Sequence, residues 1–149
     1  MYYPVFLDLR GRPVLVVGGG KVALRKARGL VEAGARLTVV APECRPEFER
    51  LPVRLARRRF RASDLEGAFL AFTATDDRAV NARVAREARR RGIPVNVADS
   101  RDECDFLVPA RVRRGHLQIA VSTGGERPRL AADLRRRLES VLGVKNGVE

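Results

Sequence analysis

Pro13-Val14-Leu15-Val16-Val17-Gly18-Gly19-Gly20-Lys21-Val22-Ala23 passes from an unbroken apolar run, through three glycines, into residues at helical spacing. A short apolar run closed by a turn and followed by a helix reads as a parallel strand buried on both faces. Gly18 permits the tight turn. Gly20 lets a pyrophosphate approach the backbone and the helix N-terminus, and Ala23 stands where the third small residue of Gly-x-Gly-x-x-Gly/Ala lets helix and strand pack closely. A glycine turn before a helix is common in itself. Here strand, turn and helix fall in the required order, which favours a dinucleotide site over a purely structural turn.

On either side of this stretch, strands and helices alternate. Val22, Ala23, Ala27, Leu30 and Val31 recur at helical spacing until Gly34 stops the helix, and 37–41 is a second strand broken by Pro42. A short helix is expected within 42–50, and a third strand, interrupted by charge, within 53–60. A fourth strand, 70–74, ends in Thr75-Asp76-Asp77, which can cap a helix carrying Val80, Val84 and Ala88 on its apolar side. Gly92 ends that helix and 93–97 is the fifth strand. The fold class is therefore α/β, a Rossmann-like parallel sheet with helices on both faces, forming a domain over 1–105.

Beyond Asp99 the rhythm changes. The runs 106–112 and 117–121 read as a hairpin through Arg113-Arg114-Gly115-His116, followed by Ser122-Thr123-Gly124-Gly125. A helix starting at Pro128 then carries Leu130, Leu134, Leu138, Val141 and Leu142. A hairpin and one amphipathic helix cannot bury both apolar faces alone. Residues 106–149 are thus expected to serve as a dimerisation segment packing against a second copy in a homodimer, or else to fold back on their own sheet. The last residues, 144–149, read as a frayed tail.

With 149 residues the chain accommodates one α/β domain and a small appendage, not two full domains. No apolar run approaches the roughly 20 residues that span a bilayer. The start, Met1-Tyr2-Tyr3-Pro4-Val5-Phe6, lacks the basic and apolar regions of a secretion signal, so a cytoplasmic location is expected. Cys44 and Cys104 lack metal-ligand spacing and read as reduced, packed thiols. The lone His116 falls in the hairpin turn, and no cluster predicts a resident metal site. The net charge of +12 is carried mainly by arginine, including the triplets 57–59, 89–91 and 135–137. Such a surface is either a solvated arginine-rich face or a receptor for polyanions. Single-strand nucleic-acid modules interleave aromatic platforms with charge. Six Phe, two Tyr and no Trp count against that reading and leave a small polycarboxylate as the better anionic partner.

Several linked motifs then coincide: Gly18 to Ala27, Ala33-Gly34-Ala35, Val40-Ala41-Pro42-Glu43, Ala74-Thr75-Asp76-Asp77, Val95 to Asp99, and Val121-Ser122-Thr123-Gly124-Gly125. In order and spacing they resemble precorrin-2 dehydrogenase, the dehydrogenase module of siroheme synthase, over nearly the whole chain. The resemblance implies NAD-dependent oxidation of precorrin-2 to sirohydrochlorin on the route to siroheme or cobalamin, with ferrous iron as a further substrate in relatives that also act as ferrochelatases. Against the family's pattern, the chain stops soon after Leu142, where relatives continue into a further helical segment, and it has no methyltransferase half. Precorrin-2 is then expected from another protein, and the hairpin and last helix of a partner copy are expected to help complete each site.

Moving a hydride to nicotinamide and releasing a proton requires a rigidly held cofactor and a base near the ring. Asp99 follows the fifth strand at the carboxyl edge of the sheet, where open α/β folds place ligands; it serves either as that base or as an ordinary turn cap. The resemblance makes it the catalytic residue. It also places Lys21, Val22, Pro42 and Glu43 around NAD, together with Gly18 and Gly20, while Arg45 keeps a 2′-phosphate in play. Thr75 lies near the ribose or nicotinamide, or caps the next helix. For the eight carboxylates of precorrin-2, the candidates are Arg101, Arg127 and Arg129, near Asp99 or the glycine loop, and the loop residues Ser122, Thr123, Gly124 and Gly125. Asn96 either supports the substrate or satisfies a strand-end backbone group. Two other classes stay open: an NAD-sensing regulatory domain without catalysis, and a basic nucleic-acid-binding module.

Overall fold

The computed structural model describes residues 2–144, so most of the expected tail, 145–149, lies outside the described residues. Residues 4–106 form one compact unit, and 107–144 with 2–3 form another.

The first unit is built on a five-stranded parallel sheet of β1 (Pro13–Val17), β2 (Arg36–Val40), β3 (Arg54–Ala56), β4 (Leu70–Thr73) and β5 (Val95–Val97), in the order β3-β2-β1-β4-β5. The chain runs outward from β1 to β3, then returns to place β4 on the other side of β1. The strand order therefore reverses between β1 and β4, and the crevice of an open α/β sheet opens at that point.

Alternation along β1 sorts the core into two layers. Val14 and Val16 face helix α1 (Lys21–Glu32), which contributes Ala23, Leu24, Ala27 and Leu30, and the fully buried Phe48. Leu15 and Val17 face helix α2 (Arg78–Arg90), with Val84, Ala85 and Ala88, and the intervening Phe60 and Leu65. With helices on both faces, the central strands β1 and β4 are covered, which is why they read as continuous apolar runs. Each fully buried Val or Leu contributes about 1.5–3 kcal/mol.

The third strand is shorter than the 53–60 expected. It stops at Ala56 because three arginines follow, of which Arg57 pairs with Glu49 and Arg58 with Asp64, before Phe60 re-enters the core. The short 42–50 helix is a single 3-10 turn at Pro46–Arg50. Further 3-10 turns at Ala62–Leu65 and Arg101–Glu103 carry too few residues for periodicity to reveal.

The second unit is the antiparallel hairpin β6 (Ala110–Arg114) and β7 (Leu117–Val121), followed by α3 (Pro128–Val141). The first hairpin strand begins at Ala110, not at Phe106. Phe106 belongs to the first unit, its ring edge-on to Phe72 at 5.3 Å and its carbonyl accepting from Asn96 Nδ2, and Pro109 brings no N–H to a ladder. Among residues 107–144, only Val112, Ala131 and Glu139 are buried.

The arginine triplets are largely occupied by neighbouring acids: Arg89 pairs with Asp105, Arg91 with Glu87, Arg135 with Glu139 and Arg136 with Asp133. Much of the basic surface is thus a solvated, internally paired face. No helix among the described residues is long and apolar enough to cross a membrane.

Candidate active site

Three adjacent strands end along the same carboxyl edge of the sheet, on one side of or next to the reversal point: Gly18 follows β1, Thr75 follows β4 and Asp99 follows β5. The register pairs Val17 with Thr73 and Thr73 with Val97, which sets these ends level.

Each glycine of the turn has a different reason to lack a side chain. Gly18 adopts φ +132°, and a Cβ there would overlap the Ala74 carbonyl. Gly19 has an ordinary φ, but a Cβ would run into the Glu43 carbonyl and Cys44 Cα, because Arg45 N–H donates to Gly19 O at 3.0 Å and draws the loop after β2 against the turn. Gly20 has nothing within 4 Å of its missing Cβ. The space kept clear there lies directly before the first turn of α1, whose N-terminus has no side-chain cap and no acidic residue. That end presents free backbone donors and the positive end of the helix dipole, a combination suited to a pyrophosphate. Lys21, Val22, Pro42 and Glu43, like Gly20, are exposed, and the Glu43 carbonyl lies against Gly19. The residues present thus fit a dinucleotide.

Arg45, which could have met a 2′-phosphate, has its guanidinium on Glu47 at 2.9 Å. Burial pushes the neighbouring Cys44 thiol up from its ordinary value.

Asp99 is held from two sides. Its Oδ2 accepts from Asn81 Nδ2 at 3.0 Å, and its Oδ1 accepts from Arg78 Nη1 at 3.0 Å. Asn81 is fully buried, and its amide ties three elements together. Oδ1 accepts from Thr73 Oγ1 at 2.6 Å and from Thr75 N–H at 3.1 Å, and Nδ2 also donates to Thr75 O at 3.0 Å. Arg78, the first residue of α2, bridges Asp99 and Glu103. Asp77 caps that helix, accepting from Ala79 and Val80 N–H at 2.8 and 3.2 Å, while Thr75 Oγ1 accepts from Asp77 N–H at 3.2 Å and lies 2.8 Å from Asn81 Oδ1, to which it can donate.

Neither Arg78 nor Asn81 is conspicuous from motif reading. For Asn81 a signal exists: it shares a buried stripe with Val84, Ala85 and Ala88, and a buried amide in an apolar stripe must be hydrogen-bonded to something nearby. Arg78 carried no signal, being one arginine among many.

Asn96 is 5% exposed and lies inside the sheet's α1 face, not at its rim. Its amide accepts from Lys26 Nζ at 2.7 Å and donates to Phe106 O at 2.9 Å, so its polar atoms are already engaged within the unit. Lys26, largely covered and 5.4 Å from the Phe72 ring centre, is held below its ordinary pKa, chiefly by burial and secondarily by Arg25. Cys104 organises the turn after β5, its Sγ 3.1 Å from Val97 N–H and 3.2 Å from Val97 O.

In the second unit, Ser122 Oγ accepts from Gly124 N–H and Thr123 Oγ1 from Arg127 N–H, both at 3.1 Å. Arg127 and Arg129 are exposed at the start of α3. Arg101 opens the turn two residues after Asp99. A surface concavity of about 620 Å³ lies elsewhere, lined by Arg12, Pro13, Glu66, Phe69 and Ile93 at the opposite, N-terminal edge of the sheet. It holds none of the groups described above; in open α/β sheets ligands lie at the strand ends on the carboxyl edge instead.

Residues 5–110 match the family described as "Putative NAD(P)-binding", and 114–140 match "Sirohaem biosynthesis protein central". The solved structure of SirC, a precorrin-2 dehydrogenase, superposes with a TM-score of 0.80 at 37% identity, covering 94% of this chain and 71% of that one. The chain belongs to the precorrin-2 dehydrogenase family. Siroheme synthases of Methylococcus capsulatus and Ectopseudomonas mendocina are 49% and 50% identical to it, each over 98% of the chain. It spans about a third, 32%, of the length of those curated relatives. The family's NAD(P)-binding module therefore corresponds to the unit that carries the glycine turn and Asp99.

Proposed function

We propose that the protein oxidises precorrin-2 to sirohydrochlorin with NAD, using Asp99 as the proton acceptor. The observation that carries this reading is that Asp99 follows β5 on the same carboxyl edge of the sheet as the glycine turn after β1, with one carboxylate oxygen held by a buried amide and the other under an exposed arginine. The oxidation removes a hydride and a proton from the macrocycle. NAD, when bound, supplies the hydride acceptor. The glycine turn and the N-terminus of α1 hold its pyrophosphate, and Glu43 stands where the adenosine ribose is bound in such folds. Asn81 keeps the Asp99 carboxylate in one orientation, so that Oδ1 can take the proton without the side chain having to be ordered first.

Ser122 to Gly125, Arg101, Arg127 and Arg129 are the proposed contacts for the substrate's carboxylates, with arginine matching them two-handedly. Ferrous iron enters the reading as a second substrate, with Asp99 accepting the pyrrole N–H protons. Among the described residues, no group of three or more His, Cys, Asp or Glu is placed to hold a resident metal.

A homodimer is supported by the second unit, where Leu117, Leu130, Leu134 and Val141 are exposed beside a very small core.

The test is anaerobic turnover of enzymatically generated precorrin-2 with NAD, following NADH and sirohydrochlorin together. The wild type is expected to form both in equal amounts. Asp99→Asn is expected to bind NAD as the wild type does and to lose at least 100-fold in kcat, in line with the roughly 10²–10⁴-fold worth of general acid-base catalysis. A dinucleotide sensor would bind NAD, form neither product and be indifferent to the substitution.

A further inference from the structure

We propose that Arg78 is a receptor for a carboxylate of the substrate, and that in the free protein it masks the base it serves. This rests on the reading of Asp99 given above. Arg78 is the first residue of α2, and its side chain is 46% exposed. One guanidinium nitrogen lies 3.0 Å from Asp99 Oδ1 and the other is on Glu103 Oε1, so a single cation is shared between two carboxylates.

Asp99 does not depend on Arg78 for its orientation. Asn81, fully buried and fixed by Thr73 and Thr75, holds the other oxygen of the same carboxylate. The two contacts on Asp99 therefore differ in kind, one built into the core and the other solvent-facing. Exposed ion pairs contribute little and are readily exchanged.

An incoming carboxylate can replace Asp99 on Nη1 while Glu103 retains Nη2. The number of charge-assisted hydrogen bonds to the guanidinium is unchanged, and its planar fork accepts two carboxylates side by side. The exchange uncovers Asp99 Oδ1 when an anionic substrate is present, and a proton arriving there no longer has to displace an ion pair. The ligand class is thus a molecule carrying a carboxylate within reach of the C–H or N–H to be deprotonated. A neutral ring of the same size would leave Asp99 masked.

The proposal is decided by Arg78→Gln and Arg78→Lys, each measured for NAD affinity, KM and kcat with precorrin-2, and direct binding of the tetrapyrrole by titration calorimetry. Arg78→Gln is expected to raise KM and the tetrapyrrole Kd about tenfold, the scale of one lost charge-assisted contact, with kcat within about twofold and NAD affinity unchanged. Arg78→Lys, which keeps the charge and loses the fork, is expected to fall between. If Arg78 only orients Asp99, kcat falls and KM stays, which overturns the proposal; so does an unchanged Kd. If the wild type binds the tetrapyrrole without oxidising it, the dehydrogenase reading fails, and the Kd of Arg78→Gln still decides the anchor. Normal NAD affinity in both variants verifies that they fold.

Discussion

Removing the Asn81 side chain tests the site most severely, because the same amide holds both the fold and Asp99. In Asn81→Ala the Thr73 hydroxyl and the Thr75 N–H lose their acceptor, and Thr73 is fully buried. A buried donor left without a partner costs about 1–3 kcal/mol, so the two together cost about 2–6 kcal/mol. For a chain of this size each kcal/mol lowers Tm by about 2–4 °C, and a mid-range loss of about 4 kcal/mol predicts a fall of about 8–16 °C. The catalytic effect is separate. Asp99 loses its buried hydrogen bond and keeps only the exposed contact with Arg78, and a misplacement of about 1 Å costs on the order of 100-fold in rate. Circular-dichroism melting gives the first quantity, and anaerobic NADH formation well below the lowered Tm gives the second, with NAD affinity measured alongside. A variant that melts within about 1 °C of the wild type would refute the hydrogen-bond account. One that loses stability while keeping full kcat would show that Asn81 is structural only.

The glycine turn predicts a split between neighbouring residues. Gly20→Ala is expected to leave Tm unchanged, because its Cβ meets nothing within 4 Å, while weakening NAD binding at least tenfold by filling the space the pyrophosphate needs. Gly19→Ala is expected to destabilise the protein even without NAD, through overlap with the Glu43 carbonyl; equal melting of the two variants would contradict this. Lys26 predicts a pH effect whose sign follows from its depressed pKa. Between that value and about 10.5 the unfolded chain holds a proton the folded chain lacks, so Lys26's contribution to stability rises with pH there. Urea titrations of the wild type and Lys26→Met across alkaline pH should converge or cross in that direction, and a constant difference would rule the burial account out.

The sheet was legible because its strands are buried on both faces, and Val14 to Val17 and Leu70 to Thr73 have no polar residue to disguise them except at the functional end. The helix ends were legible through Asp77, Gly34 and Gly92. What escaped reading depends on distance in sequence. The shortening of β3 follows from acids at 49 and 64 that claim Arg57 and Arg58, and the late start of β6 follows from Phe106 turning back onto Phe72. The same holds at the site. Gly18, Gly20 and Asp99 announce themselves by position after strands, whereas Asn81 acquires its role by reaching Asp99 from 18 residues away and Arg78 from 21.

The bond from Arg45 N–H to Gly19 O, with that from Gly18 N–H to Val40 O, has a thermodynamic consequence. The backbone around the turn is already fixed to the end of β2, so its conformational freedom is surrendered when the chain folds, not when a dinucleotide arrives. Cofactor association should therefore behave as docking into a rigid surface. The expected signature is a small change in heat capacity, without the large unfavourable entropy of ordering a loop, and an association rate that is a single linear function of cofactor concentration.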